Sequence, residues 1–109
     1  MNWISLTDES EIEQIKKNSI EKPQVIFKHS TRCSISSMAK SRLERSSIPK
    51  NVDFYYLDLI KYRSVSNFIA DEFKVEHASP QVLLIKDGVC VYDESHSGIV
   101  MTDIEASCY

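Results

Sequence analysis

A cysteine followed three residues later by a serine is the feature of this chain most able to carry chemistry. Cys33 and Ser36 lie within the segment Lys28-His-Ser-Thr-Arg-Cys-Ser-Ile-Ser36. If Cys33 opens a helix, the unpaired N–H groups and the dipole of the first turn favour its thiolate, and Arg32 adds a neighbouring cation. The Ser36 hydroxyl can donate a hydrogen bond to that thiolate but cannot form a disulfide. These residue types predict monothiol exchange, in which Cys33 takes over a small thiol from a mixed disulfide and a second thiol must release it.

The flanking segments indicate where Cys33 lies in the fold. The apolar run Pro23–Phe27 is too short for a helix and is typical of a buried strand. After the cysteine, apolar residues at i, i+3, i+4 and i+8 predict one buried helix face, formed by Ile35, Met38, Ala39 and Leu43. Cys33 is therefore expected at a strand-to-helix junction.

The remaining pattern predicts three more strands and three more helices. Asp8 with Glu11 three residues on suggests a capping box, which starts a helix that runs to about Asn18. Two apolar runs around Asp87-Gly88 predict a two-residue hairpin, since both residues tolerate positive φ. The expected elements are a short apolar lead-in at 3–6, strands at 52–59, 81–86 and 89–92, and helices at 62–73 and from Thr102 to the end. In the strand at 52–59, side chains should alternate, with Phe54 and Tyr56 on one face and Tyr55, Leu57 and Leu59 on the other.

The order of these elements predicts an α/β fold in a single domain over residues 1–109. The first βαβ unit should be right-handed with parallel strands, and the hairpin should join the same sheet. The result is a four-stranded mixed sheet flanked by helices, with an extra N-terminal helix, which is the plan of the thioredoxin fold. In that fold a cis-proline opens the hairpin beside the active-site cysteine, and the residue before it offers backbone groups to an extended substrate. Ser79 and Pro80 occupy those positions here.

Composition limits the partners and the compartment. The chain has 109 residues with a net charge of −3, which argues against a nucleic-acid-binding protein. No apolar run approaches the roughly 20 residues that span a bilayer, and the N-terminal segment lacks the basic start of a signal peptide. Three well-separated cysteines without an export signal fit a reducing compartment, so we expect a cytoplasmic protein with no membrane partner.

The other two cysteines are expected to differ from Cys33. Cys90 should lie opposite Ile85 across the hairpin, on one face with Leu83 and Tyr92, which predicts an inert core residue. Cys108 is next to last and could be flexible, so a role as a resolving thiol is conceivable, although terminal cysteines are more often incidental.

The histidines show no paired ligand spacing, so no metal site is expected. His29 ends the first predicted strand near the thiol, where its cationic form would favour the thiolate. His96 and Gly98 are predicted to lie where the last helix begins, a place that could bind the carboxylate of a small thiol. The predicted substrate contacts are Thr31, Ser79, Pro80, His96 and Gly98.

From Lys28 to Ser36, and at the Ala-Ser-Pro80 entry to the hairpin, the chain resembles the YtxJ family. These are monothiol bacilliredoxins of low-GC Gram-positive bacteria, which use bacillithiol in place of glutathione. The resemblance implies a nucleophilic Cys33 that removes bacillithiol from S-bacillithiolated cytosolic proteins, with free bacillithiol or a partner reductase clearing the adduct. Relatives usually carry proline where this chain has Ser34; serine restores an N–H near the sulfur and loosens the turn without removing the nucleophile.

Two other functions are compatible with a single reactive cysteine at the start of a helix. One is an iron–sulfur cluster scaffold shared between two chains, as associated with monothiol glutaredoxins that carry Cys-Gly-Phe-Ser. The absence of that glycine from Cys33-Ser-Ile-Ser36 weighs against it. The other is a thiol sensor without turnover, in which Cys33 is only modified.

Overall fold

Five strands form one mixed sheet in this computed structural model, which describes residues 1–109. The strands are β1 (Ile4–Ser5), β2 (Gln24–His29), β3 (Asp53–Asp58), β4 (Gln81–Lys86) and β5 (Val89–Ser95). The helices are α1 (Glu11–Asn18), α2 (Ser34–Arg45), α3 (Arg63–Phe73) and α4 (Met101–Ser107), and a 3₁₀ turn covers His96–Gly98.

The sheet has the order β1-β3-β2-β4-β5. The first three strands in that order run parallel, while β4 is antiparallel to both β2 and β5. All six residues of β2 are buried, because the strand is central and helices cover both faces of the sheet. The expected thioredoxin-like α/β fold with its N-terminal helix is therefore confirmed, with one strand more than the four predicted.

Two apolar cores lie on opposite faces of the sheet. Alternation along β2 sends Ile26 to the face covered by α1 and α3, and Val25 and Phe27 to the face covered by α2 and α4. In β3, Tyr55 and Leu57 join the first core and Phe54 the second, as the predicted alternation requires.

The N-terminal segment differs in two details from the sequence prediction. The lead-in forms the additional strand β1, which pairs Ile4 with Tyr55; two residues are too short to show a periodic signal. The predicted capping box between Asp8 and Glu11 does not form. The Glu11 carboxylate instead accepts hydrogen bonds from the Thr7 N–H (3.1 Å) and hydroxyl (3.2 Å). Asp8 instead accepts from the Ser10 N–H at 2.8 Å.

The hairpin forms at the predicted turn, with φ of 53° at Asp87 and 79° at Gly88. Cys90 pairs with Ile85 as predicted and packs against the core that contains Leu83. The prediction that Tyr92 shares this face is wrong. The register shifts at a bulge between Leu84 and Ile85, so Tyr92 pairs with Leu84 and packs against the opposite core.

The buried face of α2 also differs from the prediction. Ala39 and Leu43 are buried, as expected, but the third buried residue is Ser36. Ile35 and Met38 are 52% and 62% exposed. Relative to the predicted orientation, α2 is rotated about its axis, because Ser36 makes polar contacts with the end of β2. Ile35 and Met38 consequently face solvent.

Candidate active site

Cys33 lies at the junction of β2 and α2, as the sequence predicts. It is the N-cap of α2, with extended backbone angles (φ −114°, ψ 120°), and its side chain is partly exposed. Its N–H donates to the Ser30 carbonyl at 3.2 Å, and its carbonyl accepts from the Ser37 N–H at 3.0 Å. Thr31 and Arg32 form an exposed turn between β2 and this cap. A thiol at a helix start, next to an exposed arginine, is placed to act as a nucleophile.

The Ser36 hydroxyl makes its hydrogen bonds with residues at the end of β2. It is fully buried, 2.7 Å from His29 Nδ1, and accepts from the Ser30 N–H at 3.0 Å. Neither contact involves Cys33, so the expected hydrogen bond from Ser36 to the thiolate is not made. Ser36 instead fixes the start of the loop that carries Cys33, by joining His29 and Ser30 to the first turn of α2.

His29 is not the cation that the sequence suggested. Its ring is buried between Phe27 and Tyr56, with ring centroids 5.7 and 5.5 Å away. This burial, together with the nearby Lys40 ammonium, lowers the pKa of His29. A neutral Nδ1 can then accept the Ser36 hydroxyl proton, while the Ser36 oxygen accepts from Ser30. The prediction of a cationic His29 beside the thiolate is wrong, because the ring points into the core.

The predicted substrate-binding segments meet at the same end of the sheet as Cys33. The Ser79–Pro80 peptide bond is cis, as predicted. Lys28 pairs with Gln81, which places Pro80 beside the end of β2 where the Cys33 loop begins. The His96 N–H donates to the Pro80 carbonyl at 3.1 Å. The structure therefore brings the cis-proline and the His96 backbone together near the cysteine loop.

The helix position predicted for His96 and Gly98 is wrong. Both residues lie in a 3₁₀ turn packed on α2, where Arg42 donates to the His96 and Ile99 carbonyls at 3.5 and 3.2 Å. α4 begins only at Met101 and has seven residues. A Cβ at Gly98 would lie 2.6 Å from Cδ of Glu94, so a larger residue there requires the Glu94 side chain to move.

A buried lysine lies behind the cis-proline, and the sequence reasoning missed it. Lys28 has no solvent exposure, and its Nζ contacts the Ser66 carbonyl (3.2 Å) and His77 Nδ1 (3.3 Å). No carboxylate pairs with it, and burial lowers the pKa of Lys28 to about 8. The available signal was position: Lys28 follows Ile26 at the two-residue spacing of a strand, on a face that must be buried.

We expect Lys28→Met to raise the free energy of unfolding at pH 7 by about 1–2 kcal/mol. The pKa of Lys28 falls from 10.5 to about 8 on folding. Burying the ammonium thus destabilises the fold below pH 8, by about 2 kcal/mol after allowance for partial screening. Between pH 8 and 10.5 the unfolded chain binds more protons, so wild-type stability rises and the difference between the proteins shrinks. Urea unfolding of wild type, Lys28→Met and the exposed-lysine control Lys17→Met at pH 7 and 10 measures this. A Lys28→Met protein that is less stable at pH 7 contradicts it.

The other two cysteines lie away from Cys33 and are both buried to some degree. All three cysteines are free thiols. Burial raises the pKa of Cys90 and of Cys108, and the Cys90 thiol donates to the Tyr92 carbonyl at 3.3 Å. Cys108 is 3% exposed and belongs to the core under α4, so the flexible terminal thiol considered from the sequence is not what the structure shows.

Cys108 also lies at the wrong end of the sheet to reach Cys33. It borders a surface cavity with Lys22 and Pro23, which precede β2, whereas Cys33 follows that strand. Six extended residues place roughly 20 Å between the two ends. The arrangement leaves Cys33 without a resolving cysteine nearby. The structure contains no cluster of three or more potential metal-binding side chains, and none of its helices has the length and apolarity to cross a bilayer.

Comparisons with known proteins identify the family and the fold. A family model described as monothiol bacilliredoxin BrxC matches residues 4–104. A solved structure described as an oxidoreductase with a thioredoxin fold superimposes with a TM-score of 0.84 at 28% identity, over 95% of this chain and 91% of that one. Thioredoxin from Fasciola hepatica gives a TM-score of 0.71 at 20% identity, over 95% and 94% of the chains. Saccharomyces cerevisiae mitochondrial thioredoxin 3 gives 0.66 at 22% identity, over 97% and 92%. The chain belongs to the monothiol bacilliredoxin family of thioredoxin-fold thiol oxidoreductases.

Proposed function

We propose that this protein removes bacillithiol from S-bacillithiolated cytosolic proteins. The observation that carries the proposal is a partly exposed cysteine at the start of α2 with no second thiol within reach. In the first step the Cys33 thiolate attacks the bacillithiol-side sulfur, the mixed disulfide breaks, and the substrate protein leaves as a thiolate. The product is a disulfide between Cys33 and bacillithiol. Because Ser36 cannot resolve it, a second bacillithiol or a partner reductase must regenerate Cys33.

The residues around the cysteine have proposed roles in that step. Arg32 and the N–H groups of the first turn of α2 stabilise the negative charge that passes from the attacking sulfur to the leaving sulfur during the transfer. The Ser79 backbone and Pro80 line the approach to Cys33, with Thr31 and the His96 backbone at its borders. A substrate contact at Gly98 stays a prediction. Ser36 acts indirectly, by holding the Cys33 loop through His29 and Ser30.

The exposed apolar residues of α2 support a protein substrate. Ile35 and Met38 lie two and five residues after Cys33, and both are more than half exposed. Apolar surface beside a nucleophile favours the polypeptide around a modified cysteine, since contact with it removes that surface from water.

Replacing both residues should slow reaction with proteins and spare reaction with small disulfides. In the double variant Ile35→Ser/Met38→Gln we expect the second-order rate constant for a bacillithiolated protein to fall about three- to tenfold, as the loss of roughly 1 kcal/mol of apolar contact implies. The rate with a small aromatic disulfide should stay within about twofold. The matched control is Val89→Thr/Val91→Thr, which changes two exposed apolar residues of β5. Equal losses for both disulfides contradict a docking role.

The proposed function is tested by mixing the reduced protein with a bacillithiolated model protein and weighing both products by mass spectrometry. We expect one bacillithiol adduct per chain, with release of an equal amount of substrate thiol, and renewed turnover when free bacillithiol is added. The glutathionylated form of the same model protein tests the choice of thiol. An adduct that bacillithiol does not clear indicates a sensor, and absence of any transfer contradicts the proposal.

A further inference from the structure

Outside the residues that are proposed to take part in thiol transfer, the buried ammonium of Lys28 is the most unusual group. It lies on the face of β2 covered by α3 and is fully buried without an ion-pair partner. Its contacts are the Ser66 carbonyl, one turn into α3, and His77 Nδ1 in the segment 74–80 that joins α3 to β4. The Ser66 hydroxyl also lies 3.2 Å from His77 Nδ1. A methionine of similar length could fill this space without desolvating a charge, so packing does not explain the lysine.

A second buried polar residue reaches the same segment. Gln81 is the direct cross-strand partner of Lys28 and is 2% exposed. Its side-chain amide donates to the Glu76 carbonyl at 2.9 Å. Paired residues on β2 and β4 thus hold consecutive residues, Glu76 and His77. Two residues later the chain reaches Ser79, whose backbone stands beside the Cys33 loop.

We propose that Lys28 is a positioning residue for the thiol-transfer reaction, which acts through His77 to hold segment 74–80 where Ser79 can receive the substrate chain. This inference rests on the proposed function and adds a residue that does not touch the reacting sulfurs. The ammonium donates to His77 Nδ1, so that nitrogen must be unprotonated. Besides Lys28, the charged group near His77 is Arg63. Burial, Lys28 and Arg63 together lower the pKa of His77, which keeps the ring neutral.

The contact between Lys28 and His77 predicts that two variants of His77 differ in activity. His77→Gln keeps an oxygen acceptor for the ammonium, whereas His77→Leu removes it. We expect His77→Leu and Lys28→Met to raise the KM for a bacillithiolated protein roughly tenfold, because a charge-assisted hydrogen bond that fixes the segment is lost. His77→Gln should stay within about threefold of wild type. The rate of Cys33 with a small aromatic disulfide should change less than about twofold in all three.

A measurement independent of activity accompanies the kinetics. The His77 ring is titrated by NMR in wild type, in Lys28→Met and in the exposed-lysine control Lys17→Met. Removal of the Lys28 charge should raise the His77 midpoint, and Lys17→Met should leave it unchanged. A midpoint that Lys28→Met does not move overturns the contact. An unchanged KM in Lys28→Met and His77→Leu overturns the positioning role. So does a fall in the rate with the small disulfide that is as large as the rise in KM for the protein substrate.

These readouts separate failure of this inference from failure of the proposed function. If wild type transfers no bacillithiol, the proposed function fails, and the KM comparison moves to whichever protein disulfide wild type does reduce. The His77 variants keep the test decisive even if Lys28→Met does not fold, since His77 is exposed.

Discussion

Replacing Cys33 with serine is expected to abolish thiol transfer. Release of substrate thiol from a bacillithiolated protein should fall at least about a thousandfold, because the serine hydroxyl is not ionised at neutral pH and does not displace a thiolate from a disulfide. No bacillithiol adduct should appear in the mass spectrum of the variant. The fold should persist, since serine is a favoured N-cap residue and the cysteine caps α2 with its backbone alone. Circular dichroism checks that point.

The other cysteines supply the matched controls. Cys90→Ala and Cys108→Ala are expected to form the adduct at rates within about threefold of wild type, because neither thiol is near Cys33 and burial raises the pKa of both. Alanine is preferred to serine at Cys108, since that site is in the apolar core. An internal disulfide in wild type that disappears in Cys108→Ala contradicts the monothiol mechanism.

Replacing Ser36 with cysteine is expected to convert the protein into a dithiol enzyme. Residues three apart at a helix start have Cα atoms about 5–6 Å apart, within the range of a disulfide. In Ser36→Cys the new thiolate can attack the Cys33 sulfur of the adduct, form an internal disulfide between positions 33 and 36, and expel bacillithiol. His29 Nδ1, 2.7 Å from the present hydroxyl, is neutral at pH 7 because burial lowers its pKa, and it can accept the thiol proton.

Mass spectrometry distinguishes the two chemistries. Wild type should accumulate the bacillithiol adduct, whereas Ser36→Cys should accumulate a form lighter than the reduced protein by two hydrogen atoms. Ser36→Ala is the control: it should still accumulate the adduct but lose about 1–2 kcal/mol of stability, because the Ser30 N–H loses its acceptor. Persistence of the adduct in Ser36→Cys contradicts the prediction, and places the new thiol out of reach of Cys33.

The local signals of the sequence predicted most of the fold correctly. Asp87-Gly88 specified the hairpin because a two-residue turn demands positive φ, which few residues accept. The alternation in β3 assigned its side chains to the right faces, since a strand has a fixed period of two. The junction at Cys33 followed from a short apolar run that precedes a helical pattern. The additional strand β1 was missed because a two-residue strand has no period.

The candidate site was predicted only in part, for a related reason. The residue types and spacing of Cys33 and Ser36 are a property of the chain, and they are enough to predict a monothiol nucleophile at a helix start. What Ser36 contacts depends on the rotation of α2 over the sheet, which the apolar spacing misplaced by including Ile35 and Met38. That rotation follows the contacts of Ser36 with His29 and Ser30, and the apolar spacing of the helix carries no information about polar contacts of this kind.

The sequence by itself determined the nucleophile, the missing second thiol and the order of the strands and helices, because these depend on residue identity and on patterns within a few residues. Only the tertiary structure decided which polar groups are buried together. His29 became a neutral partner of Ser36, Lys28 became an unpaired buried ammonium, and Cys108 became a core residue at the far end of the sheet. Each outcome depends on burial by elements distant in the chain, and burial sets the protonation and the reach of a side chain.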